Sequence, residues 1–84
     1  MLEVLVFNDD VTPMDFVVNV LERVFGKSRD EAIKIMLEAH HDGQASCGVY
    51  AETHARDLAS RAKVCAEQAG HPLKFSVAKA TPSG

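Results

Sequence analysis

Asn8-Asp9-Asp10 is the densest run of polar chemistry in the chain. Two carboxylates and an amide oxygen all accept hydrogen bonds, so an exposed loop built from them suits a cation. The same residue types also make ordinary turns, because their side chains bond nearby backbone. His40 adds a second element. It follows Met36 by one helical turn, so both project from one face that is apolar and then polar at its C-terminal end. A boundary histidine is also welcome at the negative end of a helix dipole. Met14, Val17 and Met36 read most simply as core, yet methionines facing each other across two helices also line adaptable apolar pockets. An apolar slot with an acceptor-rich mouth fits a ligand carrying both a cation and an apolar side chain. A protein N-terminus beginning with a bulky residue is such a ligand.

Other chemistry finds little support. There is no GxSxG, no HExxH, no phosphate-cradling glycine loop and no CxxC. His40 and His41 are adjacent, and neighbouring helical side chains point roughly 100° apart, a poor arrangement for sharing one metal ion. Cys47 needs a base brought close by the fold before it can act as a nucleophile, and small buried thiols are usually inert. The expectation is a non-catalytic protein with no metal and no cofactor.

Positioning these groups requires several elements in order. Leu2 to Phe7 reads as a buried strand that Asn8-Asp9-Asp10 stops. Thr12 is placed to N-cap a helix with Pro13 at its first position and Asp15 in its first turn. Phe16, Val17, Val20, Leu21, Val24 and Phe25 then repeat at helical spacing until Gly26. Ser28-Arg29-Asp30-Glu31 is a capping-box pattern for a second helix with the stripe Ala32, Ile33, Met36 and Leu37, ending at Asp42-Gly43. Ala45 to Tyr50 reads as a strand. Ala55, Leu58, Ala59, Ala62, Cys65, Ala66 and Ala69 mark one face of a third helix before Gly70, and Leu73, Phe75 and Val77 alternate as a last strand. The order β-α-α-β-α-β predicts an α+β fold, a two-layer sandwich of a three-stranded antiparallel sheet with three helices on one face. One domain over 1–80 with an unstructured tail at 81–84 accounts for the whole chain.

Composition is consistent with that domain. The 84 residues are 46% hydrophobic and 25% charged, ordinary for a soluble globular protein. Nine basic against twelve acidic residues give a net charge of −3, which argues against nucleic acid as a partner. No apolar run approaches the roughly 20 residues of a membrane span, and Met1-Leu2-Glu3 shows no signal peptide. Two cysteines without a CxxC fit reduced thiols in the cytoplasm.

Asn8-Asp9-Asp10-Val11-Thr12-Pro13-Met14-Asp15-Phe16-Val17, the segment Ala32 to His40, Cys47-Gly48-Val49-Tyr50 and His71-Pro72-Leu73 together resemble the ClpS family, in the family's order and spacing. The resemblance runs from Val4 to about Ala80. It implies an adaptor for the ClpAP protease that binds N-degrons, the N-terminal residues Leu, Phe, Tyr and Trp, and passes such substrates to the N-terminal domain of the ClpA-type AAA+ unfoldase. It implies no catalytic activity. By position it assigns Asn8, Asp9 and His40 to the substrate's α-ammonium and first peptide unit. Val6, Phe7, Thr12, Met14, Val17, Met36, Ala39 and Leu73 fall in the side-chain pocket, with Met14 excluding β-branched N-terminal residues, and Asp10 organises the loop. A monomer is expected.

Three departures from the family pattern stand out. Ala39 replaces a usual Val, and Phe7 a frequent Leu or Val. Thr53 and Leu58 occupy positions where family members carry the glutamate and lysine that dock the unfoldase, so Glu52, Arg56 or Lys63 are expected to substitute. Met1 stands directly before the first strand, where the family has a flexible delivery arm, so N-degron binding with poor delivery is expected. The competing expectation is a helix-mediated interaction module that uses the Ala-rich face from Ala55 to Ala69.

Overall fold

Leu2–Phe7 forms strand β1, and its burial alternates as a half-covered strand should. Val4 and Val6 are fully buried, whereas Glu3, Leu5 and Phe7 are partly exposed. The computed structural model describes residues 1–80, so the tail expected at 81–84 lies outside the described residues. After β1 come α1 (Met14–Arg23), α2 (Arg29–Asp42), β2 (Gln44–Tyr50), α3 (Glu52–Gln68) and β3 (Phe75–Lys79). β1 is the central strand of an antiparallel sheet ordered β2-β1-β3, with Val6 opposite both Ala45 and Phe75. The expected order and sheet are those observed.

Helix boundaries show where local chemistry prevails and where a neighbour intervenes. Ser28 caps α2 as its sequence predicts, its hydroxyl accepting from the Glu31 N–H at 3.2 Å. Thr12 does not cap α1. Pro13 holds that position without a side-chain bond, and Phe16 N–H and Val17 N–H donate to its carbonyl. The Thr12 hydroxyl has instead turned back to Asp9. That bond uses the hydroxyl proton and leaves the oxygen free to accept, so the reason Thr12 does not cap is backbone: Pro13 is extended at φ -61° and ψ 141°, and the helix begins one residue further on. At the other end of α2, Gly43 sits at φ 90°, a left-handed cap that a side chain would strain, and its N–H donates to Ala39 O at 2.8 Å.

One core joins the sheet to the helices. Val4, Val6, Ala45 and Cys47 meet Val20, Leu21, Ala32, Ala55, Leu58, Ala62 and Ala66 within it. The alanines at 55, 62 and 66 are essentially fully buried, so the Ala-rich face of α3 is already used against the sheet. That overturns the expectation that this face serves as an interaction surface. Small side chains there let the helix backbone approach the strands closely, which is a packing role. Leu58 is buried in the same stripe, while Thr53, Glu52, Arg56 and Lys63 are exposed. Cys47 is the extra residue of a bulge in β2 opposite Val4 and Leu5. Gly48 beside it sits at φ 125°, and a Cβ there would lie 2.7 Å from the Tyr50 hydroxyl oxygen. That hydroxyl donates to Cys47 O at 2.9 Å.

Candidate binding site

Two backbone bonds at the end of β1 gather the site. Asn8 N–H donates to Gly43 O at 2.9 Å, which ties the start of the loop to the C-terminal end of α2, where Ala39 and His40 lie. Phe7 N–H donates to Lys74 O at 3.0 Å, which brings the approach to β3, and with it Leu73, to the other side. Residues far apart in sequence thus converge because β1 is central. An edge strand could not have recruited both neighbours.

The loop between β1 and α1 is held by its own side chains. Asp9 Oδ2 accepts from the Thr12 backbone N–H at 3.0 Å and also from the Thr12 hydroxyl. Asn8 Nδ2 donates to Asp10 Oδ1 at 3.2 Å. Asp10 thus takes part in holding the loop, but Asp9 is the stronger anchor, because it bonds both the backbone and a buried side chain. The remaining acceptors are informative. Asn8 keeps its amide oxygen and Asp9 keeps Oδ1, neither of which accepts a side-chain bond among the described residues. His40 is exposed.

These groups border a cavity of about 270 Å³. Its lining contains every residue that the family resemblance placed in the ligand site: Val6, Phe7, Asn8, Asp9, Asp10, Thr12, Met14, Val17, Met36, Ala39, His40 and Leu73. Val11 and Pro13 also line it and were missed, although their place between named neighbours was a usable signal. Val6, Val17, Ala39 and Leu73 are buried and form the apolar interior, whereas Met14 is 49% exposed and Met36 half-buried. The two methionines are walls of a hollow, and Met36 also packs against the edge of the core. At this size, slightly below the roughly 300–1,000 Å³ of small-molecule pockets, the cavity has room for one large side chain.

Elsewhere the titratable groups do not suggest catalysis. His41 Nδ1 lies 2.8 Å from Asp42 Oδ1, and this bond raises its pKa. Among the described residues, no group of three His, Cys, Asp or Glu side chains could hold a metal ion. Burial pushes the Cys47 thiol up to about 12, so it is a protonated core residue at neutral pH. No described helix is long and apolar enough to cross a membrane.

Fold and cavity together define a small α+β binding domain whose apolar socket is rimmed by hydrogen-bond acceptors. Sequence comparison then supplies the family. The profile of the ATP-dependent Clp protease adaptor protein ClpS matches residues 1–76, and the chain belongs to the ClpS family. It is 47% identical over 79 residues to the ATP-dependent Clp protease adapter protein ClpS of Gluconobacter oxydans, covering 94% of this chain and 66% of that one. Identity to the Leptospira biflexa ClpS is 48% over 77 residues, covering 92% and 68%. The chain thus spans about two thirds of the length of these curated relatives. The structure of Agrobacterium tumefaciens ClpS2 bound to L-phenylalaninamide superposes with a TM-score of 0.89 at 36% identity, covering 92% of this chain and 93% of that one. The family is one of non-catalytic adaptors of Clp protease.

Proposed function

We infer that this protein binds N-degrons, reading the free α-ammonium and the first side chain of a substrate together, and hands such substrates to a ClpA-type unfoldase. The observation that carries the reading is the junction of a one-side-chain apolar cavity with a mouth rich in unspent acceptors. An α-ammonium offers three donors and no acceptor. Asn8 Oδ1, Asp9 Oδ1 and a His40 ring nitrogen offer three acceptors, so the donor and acceptor counts match. Val6, Phe7, Thr12, Met14, Val17, Met36, Ala39 and Leu73 take the side chain in this proposal. The relative crystallised with L-phenylalaninamide, a free amine beside an aromatic side chain, supports it.

The energetics are sufficient. Burying a Leu or Phe side chain contributes roughly 1.5–3 kcal/mol. Hydrogen bonds to a charged group add about 1.5–3 kcal/mol each, set against several kcal/mol of lost freedom on association. A micromolar complex, near −8 kcal/mol, follows. Fluorescence anisotropy with a Phe-initiated peptide tests this: binding is expected, and N-acetylation, which removes the charge and leaves one donor, abolishes it. Equal affinity for the acetylated peptide overturns the reading. Delivery is tested separately, by whether the chain accelerates ClpAP degradation of a Phe-initiated substrate. The family membership supports the protease partner, with exposed Glu52, Arg56 and Lys63 on α3 as the docking candidates. A cytoplasmic site of action completes the proposal, consistent with two unpaired cysteines.

A further inference from the structure

Val11 is 75% exposed, more than any other large apolar side chain among the described residues, and it lies on the wall of the cavity mouth. Pro13 and Met14 beside it are exposed too, and both line the same mouth. Single exposed apolar residues are ordinary. Three in one short stretch, around a Thr12 that is buried and bonded to Asp9, are held outward by the loop itself. With Thr12 anchored to Asp9, the loop cannot fold Val11 inward without giving up those bonds. The polar part of the lining is formed by Asn8, Asp9, Asp10 and His40.

We propose that Val11, with Pro13 and Met14, is a subsite for the third residue of the bound chain, selecting apolar over small or acidic side chains there. This rests on the N-terminal reading above. With the first side chain in the cavity and the α-ammonium at its polar rim, the chain leaves through the mouth, and its apolar exit is the Val11 side. Successive side chains of an extended segment alternate in direction, so the second points away from the surface and the third returns to it. The third lies about 6.6 Å along the chain from the first, two residues at roughly 3.3 Å each. Asp10 and Asp15 are both exposed near this shelf, and their charge disfavours an acidic third residue.

The test is a panel of peptides beginning Phe-Gly-Leu, Phe-Gly-Gly and Phe-Gly-Glu, with Phe-Leu-Gly as the positional control, titrated against wild type and Val11→Ser. Wild type is expected to bind Phe-Gly-Leu about threefold to tenfold more tightly than Phe-Gly-Gly, the effect of partly burying one aliphatic side chain. Phe-Gly-Glu is expected to bind more weakly than Phe-Gly-Gly. In Val11→Ser the preference for leucine over glycine at the third residue falls toward one, whatever the substitution does to Phe-Gly-Gly binding itself. Equal affinities in wild type, an unchanged ratio in the variant, or discrimination at the second residue alone each overturn the subsite. N-acetylated Phe-Gly-Leu separates the two readings. If it binds as well as the free peptide, the N-terminal reading fails. If only the free peptide binds but Phe-Gly-Leu and Phe-Gly-Gly are equal, the subsite alone fails.

Discussion

Two helical faces of this small protein carry small and flexible apolar residues at the same spacing, and they end in opposite states. On α3, Ala55, Leu58, Ala62 and Ala66 are sealed against the sheet. Between α1 and α2, Met14, Val17, Met36 and Ala39 surround an open cavity of about 270 Å³. The difference lies in what stands opposite. Alanines on α3 meet the flat faces of β1 and β3, so the helix settles until the gap closes. α1 and α2 are instead held apart at the cavity by their connections, one through the loop bonded by Asp9 and Thr12, the other through the Gly43 cap bonded to Asn8. A hydrophobic stripe is therefore a core or a socket according to whether the backbone is free to collapse onto it.

The sharpest way to break this comparison is at the loop. Asp9→Ala removes both the Thr12 bonds and the free Oδ1, and peptide affinity should fall about a hundredfold, the loss of one or two hydrogen bonds to a charged group. The Tm should fall by only about 4–8 °C, because the buried Thr12 loses its carboxylate partner while most of the loop is already exposed. A larger fall in Tm would show instead that the loop is part of the sealed region. The next test places one change on each face. Ala62→Leu overpacks the closed side and should cost about 1–3 kcal/mol in denaturant unfolding. Ala39→Leu adds the same atoms to the open side, where they fill the cavity; its stability cost should be smaller, while peptide affinity falls at least tenfold. Equal destabilisation at the two sites would erase the distinction.

Cys47 sharpens the closed side through pH. Its folded-state pKa, pushed up to about 12 by burial, stands above that of an unfolded thiol, near 8.5. The folded state therefore holds a proton that the unfolded chain releases. Stability is unaffected below about pH 8 and declines between roughly pH 9 and 12, approaching about 1.4 kcal/mol per pH unit from this group. Tyr50, also raised by burial and by the neighbouring Cys47, acts in the same direction. Cys47→Ala should flatten the alkaline limb, and in the wild type DTNB should react with the partly exposed Cys65 well before Cys47. The smallest effect belongs to the exposed outer face of α3. Arg56→Ala breaks a 3.4 Å pair with Glu52 and should change stability by less than about 0.5 kcal/mol, its interest being reserved for docking to the unfoldase.

Much of this was legible from residue types. The strand and helix order followed from periodicity and stops, and the Ser28 cap and Gly43 terminus from local hydrogen-bond needs. The polar loop, His40 and the methionines were recognisable as chemistry. The Thr12 misreading is instructive: its residue type suited a helix cap, but Pro13 stays extended and the helix begins at Met14, which leaves Thr12 one residue outside the cap position. The Ala-rich face misled for a related reason, since a stripe at helical spacing does not say what it packs against. Val11 and Pro13 were passed over because exposed apolar loop residues have no periodicity to mark them.

What the sequence determined by itself is the set of local structures and the inventory of groups, because backbone propensity, capping and alternation act over a few residues. The tertiary structure decided which of those groups share a space. Central placement of β1 lets one strand end reach Gly43 on one side and Lys74 on the other, bringing the end of α2 and Leu73 to the same mouth. It also decided that the alanine stripe closes while the methionine pair stays open. Contacts between residues remote in sequence depend on how elements dock, and docking is set by the packing of the whole core.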